Sequence, residues 1–74
     1  MTDDRKAALS LAVKAAKQDR RSVTVTIRRT GECLDVTGMS YHVEDGDLMA
    51  NVRPYGWIAC SDEQLAELAA QVGM

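Results

Sequence analysis

Two cysteines and one histidine are the residues of this chain best suited to a nucleophilic site. A thiol nucleophile needs a base within hydrogen-bond distance, so His42 would have to lie beside Cys33 or Cys60. The strand pairing derived below places His42 opposite Met49 on the outer side of a sheet, whereas Cys60 points inward. We therefore expect no Cys–His pair and no enzymatic activity.

The same cysteines do not suit a metal centre or a disulfide scaffold. They stand 27 positions apart, far outside the short spacings of zinc sites, and one histidine does not complete a set of four ligands. The acidic turn at 44–47 supplies too few ligands for calcium. We expect reduced thiols, no metal, no cofactor and no small-molecule substrate.

Charge is unevenly distributed along the chain. Residues 1–29 hold eight of the nine Lys and Arg and have a net charge of +5, whereas residues 30–74 have a net charge of −7. Such asymmetry is found in proteins that meet a charged partner, and it also arises where two halves neutralise each other on folding. The sequence leaves both outcomes open.

Size and hydropathy limit the class of protein. Seventy-four residues with no Phe and one Trp form one domain, 1–74, with a modest core. No apolar run is long enough to cross a membrane, and Asp3 and Asp4 oppose the basic leader of a signal peptide. We expect a cytoplasmic protein without membrane contact, for which self-association would bury further surface.

Helical patterns occupy both ends of the chain. Thr2 is a suitable N-cap for a helix over 3–19, and Ser61 with Gln64 forms a capping box before a helix over 62–72. The apolar stripes at helical spacing are Leu9, Ala12, Val13 and Ala16 in the first helix, and Leu65, Leu68, Ala69 and Val72 in the second.

Four alternating segments between the helices predict β-strands. A first strand over 22–29 turns at Thr30-Gly31, which pairs Ile27 with Leu34 and Arg29 with Glu32. In the second strand the apolar alternation slips by one residue at 38. A glycine at such a slip indicates a β-bulge or a sharp bend.

Two further hairpins follow the bend. A turn at Asp45-Gly46 pairs Val43 with Leu48. A three-residue loop at 54–56 then pairs Val52 with Ile58 and sets Arg53 against Trp57.

The predicted fold is therefore α+β, in the order α-β-β-β-β-α. Its four-stranded antiparallel meander is strongly bent near Gly38, as in small barrels, and has helices at both termini. A flatter sheet covered by both helices is the alternative.

Residues 8–53 resemble a known family. A helix followed by VTVTIRRTGECLDVTGMSYHVEDGDLMANV, with Gly31 in the first turn and Gly38 breaking the second strand, resembles the first half of Sm-like and SH3-like small β-barrels. These include the bacterial proteins that inhibit the Rho terminator. The resemblance implies a binding module that touches RNA or the transcription machinery. The second Sm motif is absent, so no RNA-binding residue is carried over.

One candidate surface is the outer face of the second hairpin and the strand that follows it. Aromatic residues, Met and Arg are enriched in protein interfaces, and we expect a protein partner or a second copy to bind here unless a helix covers Trp57. The candidate interface residues are His42, Met49, Asn51, Arg53, Tyr55 and Trp57.

Two charged surfaces give alternative functions. A basic stripe would bind RNA or single-stranded DNA through phosphates, or would simply be solvated; its residues are Lys17, Arg20, Arg21, Arg28 and Arg29. An acidic surface would inhibit a basic partner; its residues are Glu44, Asp45, Asp47, Asp62, Glu63 and Glu67. We rank first a non-enzymatic regulatory binding module that acts through protein–protein contact or self-association.

Overall fold

The computed structural model describes residues 1–74 and confirms the predicted order of elements. The strands form one antiparallel meander in the order β1-β2-β3-β4, which is not closed into a barrel because β1 and β4 remain its two edges. Neither helix combines the length and apolarity that a membrane span requires. The elements are α1 Asp3–Gln18, β1 Thr24–Ile27, β2 Glu32–His42, β3 Asp47–Val52, β4 Gly56–Ala59 and α2 Asp62–Gln71.

The predicted caps begin both helices. The Thr2 hydroxyl accepts a hydrogen bond from the backbone N–H of Arg5, and the capping box of Ser61 and Gln64 is complete. Both helices pack onto the inner face of the sheet and form a single core with it. The most buried side chains are Leu9, Val13, Val23, Val25, Val36, Leu48, Val52 and Leu68.

The predicted slip at Gly38 is a β-bulge. Val36 and Gly38 face consecutive residues of β3, so Thr37 is an extra residue without a partner. The bulge moves the buried positions of β2 from even to odd residue numbers, and both Val36 and Met39 are therefore buried. It also turns Gly38 to the opposite face, where the absence of a side chain leaves space against the sheet.

The predicted registers are wrong by two residues in every hairpin. In the first hairpin, Leu34 pairs with Val25 instead of Ile27. The second and third hairpins are shifted in the same sense. Side chains of a strand alternate with a period of two, so a shift of two keeps paired residues on their predicted faces. Hydrophobic alternation therefore predicts the faces but not the loop lengths.

Loop length in the first two hairpins follows from where positive φ is allowed. A two-residue type I′ turn would place Thr30 and Asp45 at positive φ. Instead, only Gly31 and Gly46 have positive φ in these loops, of 76° and 69°. Each glycine N–H donates to the carbonyl four residues earlier, at 2.7 and 2.8 Å, and closes a four-residue loop. Val43 was expected inside but lies in the second loop, 78% exposed.

The ends of the first and third hairpins move accordingly. β1 ends at Ile27, so Arg28 and Arg29 lie in the loop and not in the strand. The predicted pairing of Arg29 with Glu32 is wrong: Glu32 faces Ile27, because the loop is four residues long. In the third hairpin the loop is 53–55 instead of 54–56.

Polar side chains of α2 satisfy the free edge of β1, which the sequence analysis missed. The Gln71 amide accepts a hydrogen bond from the Thr24 N–H at 2.8 Å and donates one to the Thr24 carbonyl at 2.7 Å. The Glu67 carboxylate accepts from the Thr26 N–H at 2.7 Å, and the Gln64 amide donates to the Thr26 carbonyl at 3.0 Å. The backbone of this edge is thus hydrogen bonded although no strand lies beside it.

Replacing Gln71 with Ala should destabilise the fold by about 1–3 kcal/mol, because the N–H and carbonyl of Thr24 lose both partners where water reaches them poorly. Urea unfolding followed by circular dichroism measures the change. Gln18→Ala, at an exposed glutamine of α1, is the matched control and should change the free energy of unfolding by less than about 0.5 kcal/mol. Equal effects of the two substitutions would contradict this role for Gln71.

Candidate functional site

One face of the sheet carries no helix. α1 contacts β2, β3 and α2, α2 contacts β1 and α1, and β4 contacts no element other than β3. Trp57 is 51% exposed on this side, so it is a surface residue and not part of the core. We call this side the outer face, whose residues on β2, β3 and β4 are Gly38, Ser40, His42, Asp47, Met49, Asn51, Trp57 and Ala59.

The Trp57 indole reaches across β3 to the bulge in β2. A Cβ atom on Gly38 would lie 3.4 Å from Cη2 of Trp57 and 3.8 Å from Cβ of Asn51. Asn51 faces Trp57 in the register, the position that we had predicted for Arg53. The glycine therefore leaves room for the ring to lie against the sheet, while about half of the residue remains in contact with solvent.

The other predicted interface residues of the strands lie around this contact. Met49 is half-buried and faces Ala59 across the β3–β4 pair. His42 was predicted to face Met49, but it faces Asp47 and is exposed at the far end of β2. The structure thus joins Met49 and Trp57 into one central area and leaves His42 at its margin.

Arg53 and Tyr55 lie in the loop before β4, at the other margin. Both are exposed. The Tyr55 hydroxyl donates a hydrogen bond of 2.6 Å to Oε1 of Glu32, which joins this loop to the start of β2. This bond, assisted by Thr30, lowers the pKa of Glu32, and the same bond is the main cause that raises the pKa of Tyr55. The sequence contained no signal for this pair because the two residues are far apart in the chain.

Members of the predicted basic stripe are engaged within the molecule. The Lys17 ammonium lies 3.1 Å from the Asp35 carboxylate, and the Arg28 guanidinium lies 2.7 Å from that of Glu63. The pKa of Glu63 is lowered mainly by a hydrogen bond from the backbone N–H of Glu63 itself, and second by Arg28. Both ion pairs are solvent-exposed, so each contributes little to stability.

The remaining basic residues do not form a continuous stripe. Arg21 donates to the backbone carbonyl of Gln71 at 3.0 Å, at the end of α2. The ion pair of Arg28 with Glu63 lies at the start of the same helix, roughly 12 Å from Gln71 along the helix axis. Arg20 and Arg29 are exposed and have no acidic partner within 4.0 Å.

The predicted acidic surface is divided in a similar way. Glu63 pairs with Arg28, and Glu67 is bound to β1. The members of this surface that are exposed and have no ion pair are Glu44, Asp45, Asp47 and Asp62. The first three surround the β2–β3 loop, and Asp62 lies just beyond β4.

The thiols and the histidine are not assembled into a site. Cys33 and His42 lie near opposite ends of β2, and Cys60 is on the inner side of the sheet, away from His42. Burial raises the pKa of the Cys60 thiol to about 11, which disfavours the reactive thiolate. No group of three or more His, Cys, Asp or Glu side chains is arranged to hold a metal ion.

Comparisons of the chain with protein-family models, curated proteins and solved structures find no match. The resemblance to Sm-like small barrels therefore stays a prediction. Asp62–Gln71, where that resemblance would place a fifth strand in the sequence, form α2.

Gly38→Val should displace the indole of Trp57, because the added methyl groups occupy the space against which the ring lies. We expect stronger acrylamide quenching of the only tryptophan and a loss of about 1–3 kcal/mol of stability. Gly38→Ala is the matched control, since its Cβ at 3.4 Å would be an ordinary contact. Unchanged quenching in the valine variant would show that the ring does not depend on Gly38.

Tyr55→Phe should raise the pKa of Glu32 towards the usual carboxyl range, because the strongest cause that lowers this pKa is removed. A lowered folded-state pKa stabilises the fold above the unfolded-state pKa and loses that effect as the pH falls through the folded-state value. The variant should lack this part of the pH dependence. Carboxyl NMR titration measures it, and the pKa of Glu63, which is lowered by its own backbone N–H and by Arg28, should not move.

Proposed function

We propose that this chain is a non-enzymatic regulatory binding module that holds a protein partner on the outer face of its sheet. The observation that carries the proposal is Trp57, a large aromatic side chain that is 51% exposed beside a half-buried methionine and is positioned by a glycine bulge. Tryptophan and methionine are enriched at protein interfaces, and tryptophan is frequent among the residues that dominate binding energy.

The position of the ring supports binding in a second way. An exposed aromatic side chain that moves freely loses conformational entropy when a partner fixes it. The close approach of the ring to Gly38, across its register partner Asn51, already restricts Trp57 before binding. A partner that covers the remaining exposed half of the residue therefore gains apolar burial at a reduced entropic cost.

Charge on this face favours a protein over a nucleic acid. The strand positions of the outer face contain no Lys or Arg, whereas proteins that hold a phosphate backbone need several cations along the path of the strand. Of the predicted basic stripe, Lys17 and Arg28 are ion-paired. Arg20 and Arg29 are free but lie in different loops, at the end of α1 and between β1 and β2.

The test is affinity capture from nuclease-treated host lysate with three immobilised forms of the protein. The wild type and Leu11→Ala should retain the same partner, and Trp57→Ala should lose it. Leu11 is the matched control because it is an exposed apolar residue, 68% accessible, on α1 away from the sheet. Purified partner should then change the emission of Trp57 on titration.

Two results would oppose the proposal. One is a partner that is retained equally by Trp57→Ala, provided that circular dichroism shows this variant to be folded. The other is RNA or single-stranded DNA binding at low salt that weakens with added salt and is abolished in Arg20→Ala/Arg29→Ala. The second result would show that the chain binds nucleic acid through its basic residues.

A further inference from the structure

We propose that the free edge of β4 pairs with β4 of a second copy, antiparallel, to give a continuous eight-stranded sheet. The two edges of the monomer's sheet differ. The β1 edge is hydrogen bonded to α2, whereas β4 contacts β3 and no other strand or helix. An unpaired strand edge is a ready template for another strand.

The register shows which backbone groups this edge offers. The Cys60 N–H donates to the Leu48 carbonyl at 2.9 Å, and Ile58 faces Ala50 in the same alternation. Backbone groups of a strand point alternately to its two sides. The N–H and carbonyl groups of Trp57 and Ala59 therefore point away from β3, and no hydrogen bond within the chain uses them.

The edge lacks the usual protection against pairing. Exposed edges in soluble proteins typically carry Lys, an inward charge, a proline in the strand or a bulge. Residues 54–61, PYGWIACS, contain no charged side chain. Pro54 lies in the preceding loop, outside β4, and the register of β4 with β3 is regular.

A second copy fits this edge because the edge is complementary to itself. In an antiparallel pair centred on Ile58, Trp57 of each copy faces Ala59 of the other, so all four outward groups of each strand find partners. The same two-fold axis brings Arg53, just before β4, near Asp62 of the other copy, just after it. Both residues are exposed, and neither has an ion pair within its own chain.

This inference goes beyond the proposed function, since it uses the edge of the sheet and not its outer face. Pairing would place two outer faces side by side and create two linked sites for a partner. A four-residue strand pair buries much less than a standard interface, so we expect a dissociation constant roughly between micromolar and millimolar.

Sedimentation equilibrium from about 10 µM to 1 mM, the range expected for so small an interface, tests the proposal. The wild type should form a dimer, and Ala59→Pro should stay monomeric, because proline removes an outward N–H without breaking a bond to β3. Arg53→Asp should weaken the dimer by about tenfold or more through repulsion from Asp62. The charge-swapped Arg53→Asp/Asp62→Arg should restore it. Arg20→Asp, an equal charge change far from β4, should have no effect.

If Ala59→Pro fails to fold, hydrogen exchange of the wild type tests the same edge. The amides of Trp57 and Ala59 should gain protection as the wild type dimerises, and no other strand edge should. A wild type that is monomeric at 1 mM, or a dimer that is insensitive to Arg53→Asp, would overturn the proposal. An edge that binds only an added extended peptide would overturn it as well. Trp57→Ala retains the backbone groups of β4, so loss of partner capture with a retained dimer separates the two proposals.

Discussion

The structure depends on how α2 meets the edge of β1. A four-stranded sheet that does not close into a barrel has two edges without a neighbouring strand, and one of them borders the core. The primary amide of Gln71 carries a donor and an acceptor, as a peptide group does, so one side chain serves the N–H and the carbonyl of Thr24 together. Because Leu65, Leu68 and Ala69 of the same helix are buried in the core, packing and hydrogen bonding fix α2 in one position.

The bulge at Thr37 is the second constraint, and it links the core to the outer face. β2 serves two neighbours, β1 along its first half and β3 along its second. If β2 alternated regularly through Thr37, with no bulge, its second half would turn Gly38 inward and Met39 to solvent, leaving a space in the core. The bulge reverses both orientations at once. It therefore completes the core with Met39 and, through Gly38, creates the surface on which Trp57 lies.

Sequence patterns determine the elements and faces of this chain but not its pairings. The caps at Thr2 and Ser61 and the slip at Gly38 are local signals, and each was predicted correctly. The registers were not, because alternation is unchanged by a shift of two residues and the loop length depends on which residues accept positive φ.

The bonds between α2 and β1 were also beyond the sequence analysis. Gln64 was interpreted only as a capping residue and Glu67 only as a surface acid, whereas both contact Thr26. A polar row at 64, 67 and 71 beside an apolar helical stripe is a usable signal in retrospect. Its meaning depends on knowing that an unpaired strand edge lies opposite, which only the tertiary structure provides.

The charge asymmetry of the chain is partly resolved within the fold. The ion pairs Lys17–Asp35 and Arg28–Glu63 each join a cation from the basic half to an acid from the acidic half. The centre of the outer face around Trp57 is uncharged, since Gly38, Ser40, Met49, Asn51 and Ala59 surround the tryptophan there. Covering that centre removes no ion from water, so docking there avoids the main cost of burying polar surface. Affinity at such a face would come from apolar burial of the tryptophan, and the surrounding charges would select the orientation of the partner.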